Sequence, residues 1–177
     1  MFLKKAILTR LLPKTGQFLT HFSGDDGFYQ AGWWRGKTIA TNKTRFILKA
    51  INGDAVVIDR ATGLMWAADG SAAGCLAVGT SIANSLIYAE ALTFAGFSDW
   101  RVPNIKELFS IIDFGIATSP VIAEPPFSNT LITLPYHSGT VYPLYIDYSY
   151  TVNFVSGIVD TLTFGDLGLL RCVRGGL

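Results

Sequence analysis

The alternation of apolar and polar positions predicts short strands at both ends of the chain. Residues 45–50 and 55–59 are strand-like and flank Asn52-Gly53, a pair that favours the positive backbone angles of a tight hairpin turn. Residues 64–67 predict a third strand. Four further runs are typical of strands, at residues 142–148, 150–155, 158–164 and 169–173, and glycines separate the last three from one another. The second half of the chain therefore predicts an antiparallel sheet.

Two helices are predicted between these strand-rich regions. Residues 82–95 carry apolar side chains on one broad face and end at Gly96, a residue type common after helices. A second helix follows Asn104, which can cap its free amides while Glu107 reaches back to the cap. Helices in the middle of the chain with strands at both ends indicate the α+β class rather than alternating α/β.

The remaining segments predict loops and one arm. Residues 13–36 and 69–80 are rich in glycine or other small residues, as loops are. Residues 1–12 resemble a secretion signal, but Arg10 interrupts the apolar run and no small-residue cleavage site follows. We therefore expect an N-terminal arm over residues 1–12, either packed on a neighbour or frayed, and one domain over residues 13–177.

Composition narrows the classes of partner. Charged residues are 15% of the chain and the net charge is +1, so we expect no nucleic-acid partner. The apolar fraction is 50%, yet no run approaches the roughly 18 apolar residues of a membrane-spanning helix, so no membrane span is expected. Such a composition favours hiding apolar surface between subunits, and we expect an oligomer of identical copies.

The residues that bind metals are sparse and widely spaced. Neither Cys75 with Cys172 nor His21 with His137 has zinc-ligand spacing, so no metal is expected. The two cysteines form either a disulfide or two buried thiols.

Two acidic turns, Asp25-Asp26 and Asp69-Gly70, faintly resemble calcium loops without the oxygen spacing of an EF-hand. Each is either an ion-binding loop or a turn whose carboxylates accept hydrogen bonds from nearby amides. The common nucleotide, hydrolase and metalloprotease motifs do not occur, so we predict no catalytic residues and no cofactor.

Several strings together resemble one family. They are DRATGLMW at residues 59–66, AGFSDWRVPNIKEL at 95–108 and RCVRGG at 171–176, with LPKTGQ at 12–17 and GDDG at 24–27. The first three strings look like the signature blocks of the Lcl C-terminal domain family, and the last two resemble the usual start of its members. The resemblance implies a C-type-lectin-like fold of the formylglycine-generating-enzyme type. It also implies a role as a surface adhesin, glycan-binding module or phage-borne recognition domain.

The charged residues of these blocks predict architecture more than function. Beside a helix start, the Arg101 guanidinium could lie between Asp99 and Glu107 with Trp100 packed over it. Calcium-dependent sugar binding is not supported, because the chain has Glu124-Pro125-Pro126 where such lectins carry a Glu-Pro-Asn string. The separated cysteines also do not resemble the reactive pair of the sulfatase-activating relatives.

A departure from the family pattern directs the choice of a binding site. Residues 136–140, YHSGT, stand where the family commonly has a Trp-Ser-Ser-Thr-like string, and aromatic rings are concentrated nearby. Tyr and Trp are favoured at recognition surfaces because rigid rings contribute contact area at little entropic cost. We predict a surface loop at Tyr136, His137 and Ser138. The predicted ligand-binding residues are Tyr136, His137, Ser138, Tyr145, Trp33 and Trp34.

These expectations define a non-catalytic recognition or adhesion module on a phage particle or a bacterial surface. Its expected partners are a host-surface glycan or protein receptor, other copies of itself as a trimer, and other virion proteins. Binding through rings and neutral hydrogen bonds would make affinity vary little with salt. The alternative is a structural virion protein that uses its apolar surface for permanent subunit contacts.

Overall fold

The order of helices and strands is that of an α+β domain, as predicted. The structure is a computed structural model that describes residues 13, 15–29 and 45–175. The predicted arm at residues 1–12 and the pair Trp33-Trp34 lie outside these residues. The elements are α1 (Asp26–Tyr29), β1 (Phe46–Ile51), β2 (Asp54–Asp59), β3 (Met65–Ala67), β4 (Cys75–Thr80), α2 (Ile82–Ala91), α3 (Ile105–Ser110), β5 (Tyr136–Val141), β6 (Tyr148–Asn153), β7 (Ile158–Thr163), β8 (Gly168–Arg171) and β9 (Val173–Arg174).

A four-stranded sheet begins with the predicted hairpin. β1 and β2 pair antiparallel, and Asn52 and Gly53 at the turn have φ angles of 51° and 89°. These angles match a tight turn whose twist suits the flanking strands. The strand order is β1-β2-β3-β9, so a strand near residue 174 completes a sheet that begins at residue 46. The hairpin and third-strand predictions are confirmed.

A five-stranded sheet has the order β4-β8-β5-β6-β7. β6 and β7 pair antiparallel as predicted, and β5, which was not predicted as a strand, pairs antiparallel with β6 and parallel with β8 through Tyr136 and Leu169. The sheet is therefore mixed rather than purely antiparallel. β4 lies inside the predicted loop at 69–80, and that loop prediction is wrong for residues 75–80. Its strand forms because Cys75 and Leu76 pair with β8, nearly a hundred residues away.

The two predicted helices are present, with one boundary displaced. α3 has the expected capping box, in which the Glu107 amide donates to Asn104 Oδ1 and the Asn104 amide donates to Glu107 Oε2, both at 2.9 Å. α2 ends at Ala91 rather than at residue 95, because Phe94 and Phe97 form an isolated β-bridge instead of continuing the helix.

Two groups of buried side chains hold the sheets and helices together. One group joins both sheets to α3 and includes Val57, Trp66, Leu108, Val152 and Leu169. The other lies where α2 meets strands of both sheets and includes Ile82, Ala89, Val56, Leu170 and Trp100. Among the described residues no helix has the length and hydropathy needed to cross a membrane.

The charged residues of the signature blocks form ion pairs and hydrogen bonds within the domain. Arg101 makes a bidentate pair with Glu107 at 2.7 Å and also donates to the Gly175 carbonyl at 2.8 Å. Asp99 binds Arg174 instead, at 2.7 and 2.9 Å. The prediction that Asp99 and Glu107 share Arg101 is therefore wrong, because β9 brings a second arginine to Asp99. The arrangement ties the start of α3 to the last strand.

Candidate functional site

The predicted binding loop at Tyr136, His137 and Ser138 is a buried strand. These residues form the first half of β5, and their exposed fractions are 2%, 0% and 0%. Tyr136 pairs across the sheet with Val152 and Leu169, which places it in the core shared with α3. The prediction that these three side chains form an exposed loop is wrong. The local pattern of polar and aromatic residues did not reveal that β6 and β8 flank this strand on both sides.

Each of the three buried residues has a structural role. The Tyr136 ring contacts Phe154 edge to face at 4.9 Å, and burial raises the pKa of its hydroxyl to about 12. Ser138 donates from Oγ to the Tyr150 carbonyl at 2.7 Å, which fixes β5 against β6. His137 Nε2 lies 2.8 Å from the Thr80 carbonyl, so this nitrogen carries the proton and donates. These contacts satisfy the Ser138 hydroxyl and Nε2 of His137, whereas His137 Nδ1 is buried with no hydrogen-bond partner among the described residues.

The burial of His137 predicts sensitivity to acid. Desolvation lowers the pKa of His137 below its ordinary value of 6.5, whereas the unfolded chain keeps that ordinary value. Below about pH 6.5 the unfolded state binds a proton that the folded state resists, so stability present at higher pH is lost as the pH falls. We expect urea unfolding between pH 7.5 and 5 to show a loss of at most about 1.4 kcal/mol per pH unit.

Two variants test the assignment of this pH dependence. His137→Gln should flatten the change in unfolding free energy across the window, whatever its effect on absolute stability. His21→Gln, a change at an exposed position, should leave the wild-type slope unchanged. An unchanged slope in His137→Gln would show that another group controls the acid response.

Four tyrosines form a partly exposed cluster at the turn that joins β5 to β6 and at the start of β6. The rings of Tyr142 and Tyr145 stack with centroids 5.9 Å apart, Tyr142 meets Tyr150 edge to face at 5.4 Å, and Tyr145 lies 5.9 Å from Tyr148. We call these four side chains the tyrosine surface. Tyr145 is 64% exposed, and the other three are half-buried. Of the four predicted ligand-binding residues that the structure describes, Tyr145 is therefore the one on an exposed aromatic surface.

Backbone hydrogen bonds fix the shape of this turn. The strand predicted at 142–148 is instead a compact reversal in which the Tyr142 amide donates to the Tyr148 carbonyl at 2.8 Å and the Tyr148 amide donates to the Tyr145 carbonyl at 3.0 Å. Pro143 fixes one further backbone angle within it. A turn held in this way loses little conformational entropy when it binds a ligand. The sequence signal was present as four nearby tyrosines, although the strand prediction hid their clustering.

Aliphatic side chains extend the exposed turn. Leu144 and Ile146 alternate with the tyrosines and are 75% and 76% exposed, respectively. Large apolar side chains exposed side by side mark interaction surfaces more often than single exposed ones. The turn therefore combines aromatic rings that bear hydroxyl groups with aliphatic contact area.

In each of the two acidic turns, an aspartate carboxylate accepts hydrogen bonds from nearby groups. Asp25 accepts hydrogen bonds from the amides of His21, Phe22 and Phe28, which lower its pKa. Asp69 accepts from Ser71 and from Asn129, and these bonds lower its pKa in turn. Within the described part of the chain, no three His, Cys, Asp or Glu residues come close enough together to hold an ion.

Cys75 and Cys172 are both buried and unpaired in the structure, which matches the second of the two alternatives. Burial raises the pKa of each thiol. A raised pKa leaves little thiolate at neutral pH, so neither residue has the character of a nucleophile. Cys172 donates its amide to the Gly74 carbonyl at 3.0 Å, which joins β8 and β9 to the segment before β4.

The fold and the tyrosine surface define a mixed α+β domain with one rigid, exposed aromatic turn. The sequence model of the Lcl C-terminal domain matches residues 55–174, and the chain belongs to that family. This match confirms the resemblance carried by the three signature blocks. It also places the tyrosine surface within the family domain. A search of curated proteins finds no match to the chain.

Proposed function

We propose that this chain is a non-catalytic recognition module and that the tyrosine surface is where it binds its ligand. The observation that supports this proposal is the contact of four tyrosine rings at one turn. Hydrogen bonds fix the backbone of that turn. Rigid tyrosines supply contact area and hydroxyl groups without a large entropic cost. The module has a C-type-lectin-like architecture and displays this turn on a virion or a cell surface, toward a host glycan or protein receptor.

A pair of substitutions on this surface tests the proposal. Tyr142→Ala with Tyr145→Ala should weaken binding to receptor-bearing cells or to arrayed glycans by about tenfold or more, because aromatic anchors dominate such contacts. The melting temperature should fall by no more than a few degrees, since Tyr145 is largely exposed and Tyr142 is only half-buried. The readouts are equilibrium binding and thermal unfolding on the same samples.

Tyr29→Ala provides the matched control. Tyr29 is exposed, lies more than a hundred residues before the turn in the sequence, and its ring contacts Phe28 edge to face. It therefore reproduces the loss of an exposed, ring-paired tyrosine without touching the turn, and binding should be unchanged. Equal binding by the folded double variant and the wild-type protein would place the recognition surface elsewhere.

A structural role in a virion is the second candidate, favoured by the exposure of Leu144 and Ile146. In that role the turn is a permanent contact between subunits of a trimer, and other virion proteins are the partners. Leu144→Ser with Ile146→Ser distinguishes the two roles. An assembly protein should lose its trimer in light scattering, whereas a recognition module should keep its oligomeric state and change only in ligand binding.

A further inference from the structure

The strand β7 lies at one edge of the five-stranded sheet. β6 pairs with one side of β7, and no strand of the described residues pairs with its other side. All six residues of β7 pair with β6 in one regular register, without a bulge. The strand, IVDTLT, also contains no lysine or proline, two residue types that commonly protect sheet edges. The backbone of β7 is therefore suited to accepting a further strand.

One hydrogen bond shows which backbone groups of β7 point away from the sheet. Phe164 directly follows β7, and its amide donates to the Asp147 carbonyl on the β6 side at 2.8 Å. Residues of an antiparallel pair alternate between those that bond the partner strand and those that point away from it. The even-numbered residues of β7 therefore bond β6. The amides and carbonyls of Val159, Thr161 and Thr163 point outward.

Two aspartates bind outward amides of this edge. The Thr161 amide donates to Asp160 Oδ1 at 2.7 Å, and the Thr163 amide donates to Asp166 Oδ2 at 3.0 Å. A strand added to this edge would need the same amides as donors to its own carbonyls. Carboxylates accept stronger hydrogen bonds than carbonyls do, so an incoming strand does not displace them. The two side chains therefore block strand addition at this edge.

The strand that fits this edge is β7 of a second copy. An antiparallel pair centred on Thr161 places Thr161 opposite its own counterpart and Val159 opposite the Thr163 of the second copy. The same register places Ile158 opposite Phe164 at both ends, and both side chains are exposed in the single chain. Apolar side chains that meet across two strands stabilise their pairing. The edge is therefore complementary to itself.

From this geometry we propose that β7 is a latent site of self-association, which Asp160 and Asp166 block by binding the Thr161 and Thr163 amides. When the two carboxylates are removed, β7 pairs with β7 of a second copy and joins two five-stranded sheets into one continuous sheet. The inference is independent of the proposed recognition function, because it depends on the edge of β7 and not on a ligand of the tyrosine surface.

Asp160→Ala with Asp166→Ala tests the proposal in the whole chain. The double variant should show an average mass in light scattering about twofold or more above that of the wild-type protein at the same concentration. Removing two negative charges changes the net charge from +1 to +3, which by itself should oppose association. A rise in mass would therefore come from the released edge and not from weaker charge repulsion.

Glu90→Ala with Asp147→Ala is the matched control. Glu90 lies in α2 and Asp147 precedes β6, and both side chains are exposed. This variant loses the same two charges and keeps the carboxylates that bind the β7 amides, so its mass should equal that of the wild-type protein. An equal rise in mass in this control would overturn the proposal.

Thr161→Pro, added to the Asp160→Ala, Asp166→Ala variant, should restore the wild-type mass. Proline has no amide proton, and the Thr161 amide points away from β6, so the pairing of β6 with β7 keeps its hydrogen bonds. Circular dichroism and thermal unfolding show whether each variant is folded. A folded variant with Thr161→Pro that stays associated would show that the contact does not use this edge.

A cysteine at the centre of the proposed pair gives a second measurement that does not depend on the proline variant. Residues 161 of the two copies would lie about 5.5 Å apart between their Cα atoms, within the range that a disulfide spans. Thr161→Cys in the Asp160→Ala, Asp166→Ala background should therefore crosslink under diamide, which oxidises two thiols to a disulfide. Cys75 and Cys172 are buried and their thiol pKa values are raised, so they should react slowly.

The position of the crosslink decides the register. Val155→Cys in the same background places an exposed thiol before β7, where the two copies are far apart in the proposed pair, and it should crosslink much more slowly. Equal rates at the two positions, or no rise in mass in a folded Asp160→Ala, Asp166→Ala variant, overturn the proposal. Rapid crosslinking of Thr161→Cys with both aspartates in place would show that they do not block the edge.

Discussion

Arg171→Ala is expected to lower the free energy of unfolding by about 3–5 kcal/mol. The guanidinium is completely buried, and it donates to the Ala67 and Ala68 carbonyls at 2.7 and 2.8 Å and to Thr130 Oγ1 at 2.9 Å. Its central carbon also lies 5.2 Å from the centre of the Phe127 ring. Truncation removes these hydrogen bonds and opens a cavity between the two sheets, so two costs add together.

Denaturant unfolding measures the loss of stability in Arg171→Ala. Two further variants show how much of that loss comes from the hydrogen bonds and from burial. Arg171→Met fills much of the space but donates no hydrogen bonds, so it should cost less than Arg171→Ala and more than about 1 kcal/mol. Arg174→Ala removes an arginine that is partly exposed and paired with Asp99, and it should cost about 1 kcal/mol or less. Equal losses for Arg171→Ala and Arg174→Ala would contradict the structural role assigned to Arg171.

Asp59→Ala is expected to cost about 3–5 kcal/mol as well. This fully buried carboxylate accepts hydrogen bonds from Arg45 Nε and Nη2 at 2.9 and 2.7 Å, from the Ala61 amide at 2.9 Å and from Thr62 Oγ1 at 2.8 Å. Its removal leaves Arg45 nearly buried without its partner and releases the turn between β2 and β3. Both effects destabilise the region around β2 and β3, where the family domain begins.

Asp99→Ala is the matched comparison for Asp59→Ala. Asp99 also binds an arginine through two oxygens, but its side chain is exposed, so water can replace the lost partner. Urea unfolding at neutral pH should give a change of about 1 kcal/mol or less for Asp99→Ala. A cost for Asp59→Ala no larger than this would show that burial does not govern the strength of these pairs.

Sequence reasoning succeeded where the signal was local. The Asn52-Gly53 hairpin and the Asn104-Glu107 capping box depend on residues within a few positions of each other, and both are present. β4 and the burial of β5 depend on partners far along the chain. Cys75 of β4 pairs with Arg171 of β8, and Tyr136 of β5 pairs with Leu169 of β8. Neither pairing leaves a periodic trace in the segment that it orders, so both were predicted as loops.

The candidate site shows the same difference between local signals, which the sequence reveals, and long-range pairings, which it does not. The four tyrosines at positions 142–150 were visible as a local concentration, and Tyr145 is exposed as required. Tyr136, His137 and Ser138 have a similar composition but enter the interior, because β5 is flanked by β6 and β8.

The pairing of β3 with β9 has a consequence for how the molecule is made. β3 pairs with β9, which lies more than a hundred residues downstream in the sequence. Arg101 also exchanges backbone hydrogen bonds with Val173, at 2.9 and 3.0 Å. Contacts at such separation form slowly, and a growing polypeptide exposes Trp66 and the other core residues until β8 and β9 leave the ribosome. Nascent chains should therefore depend on chaperones, and a ribosome stalled before residue 168 should hold a chain that proteases still cut.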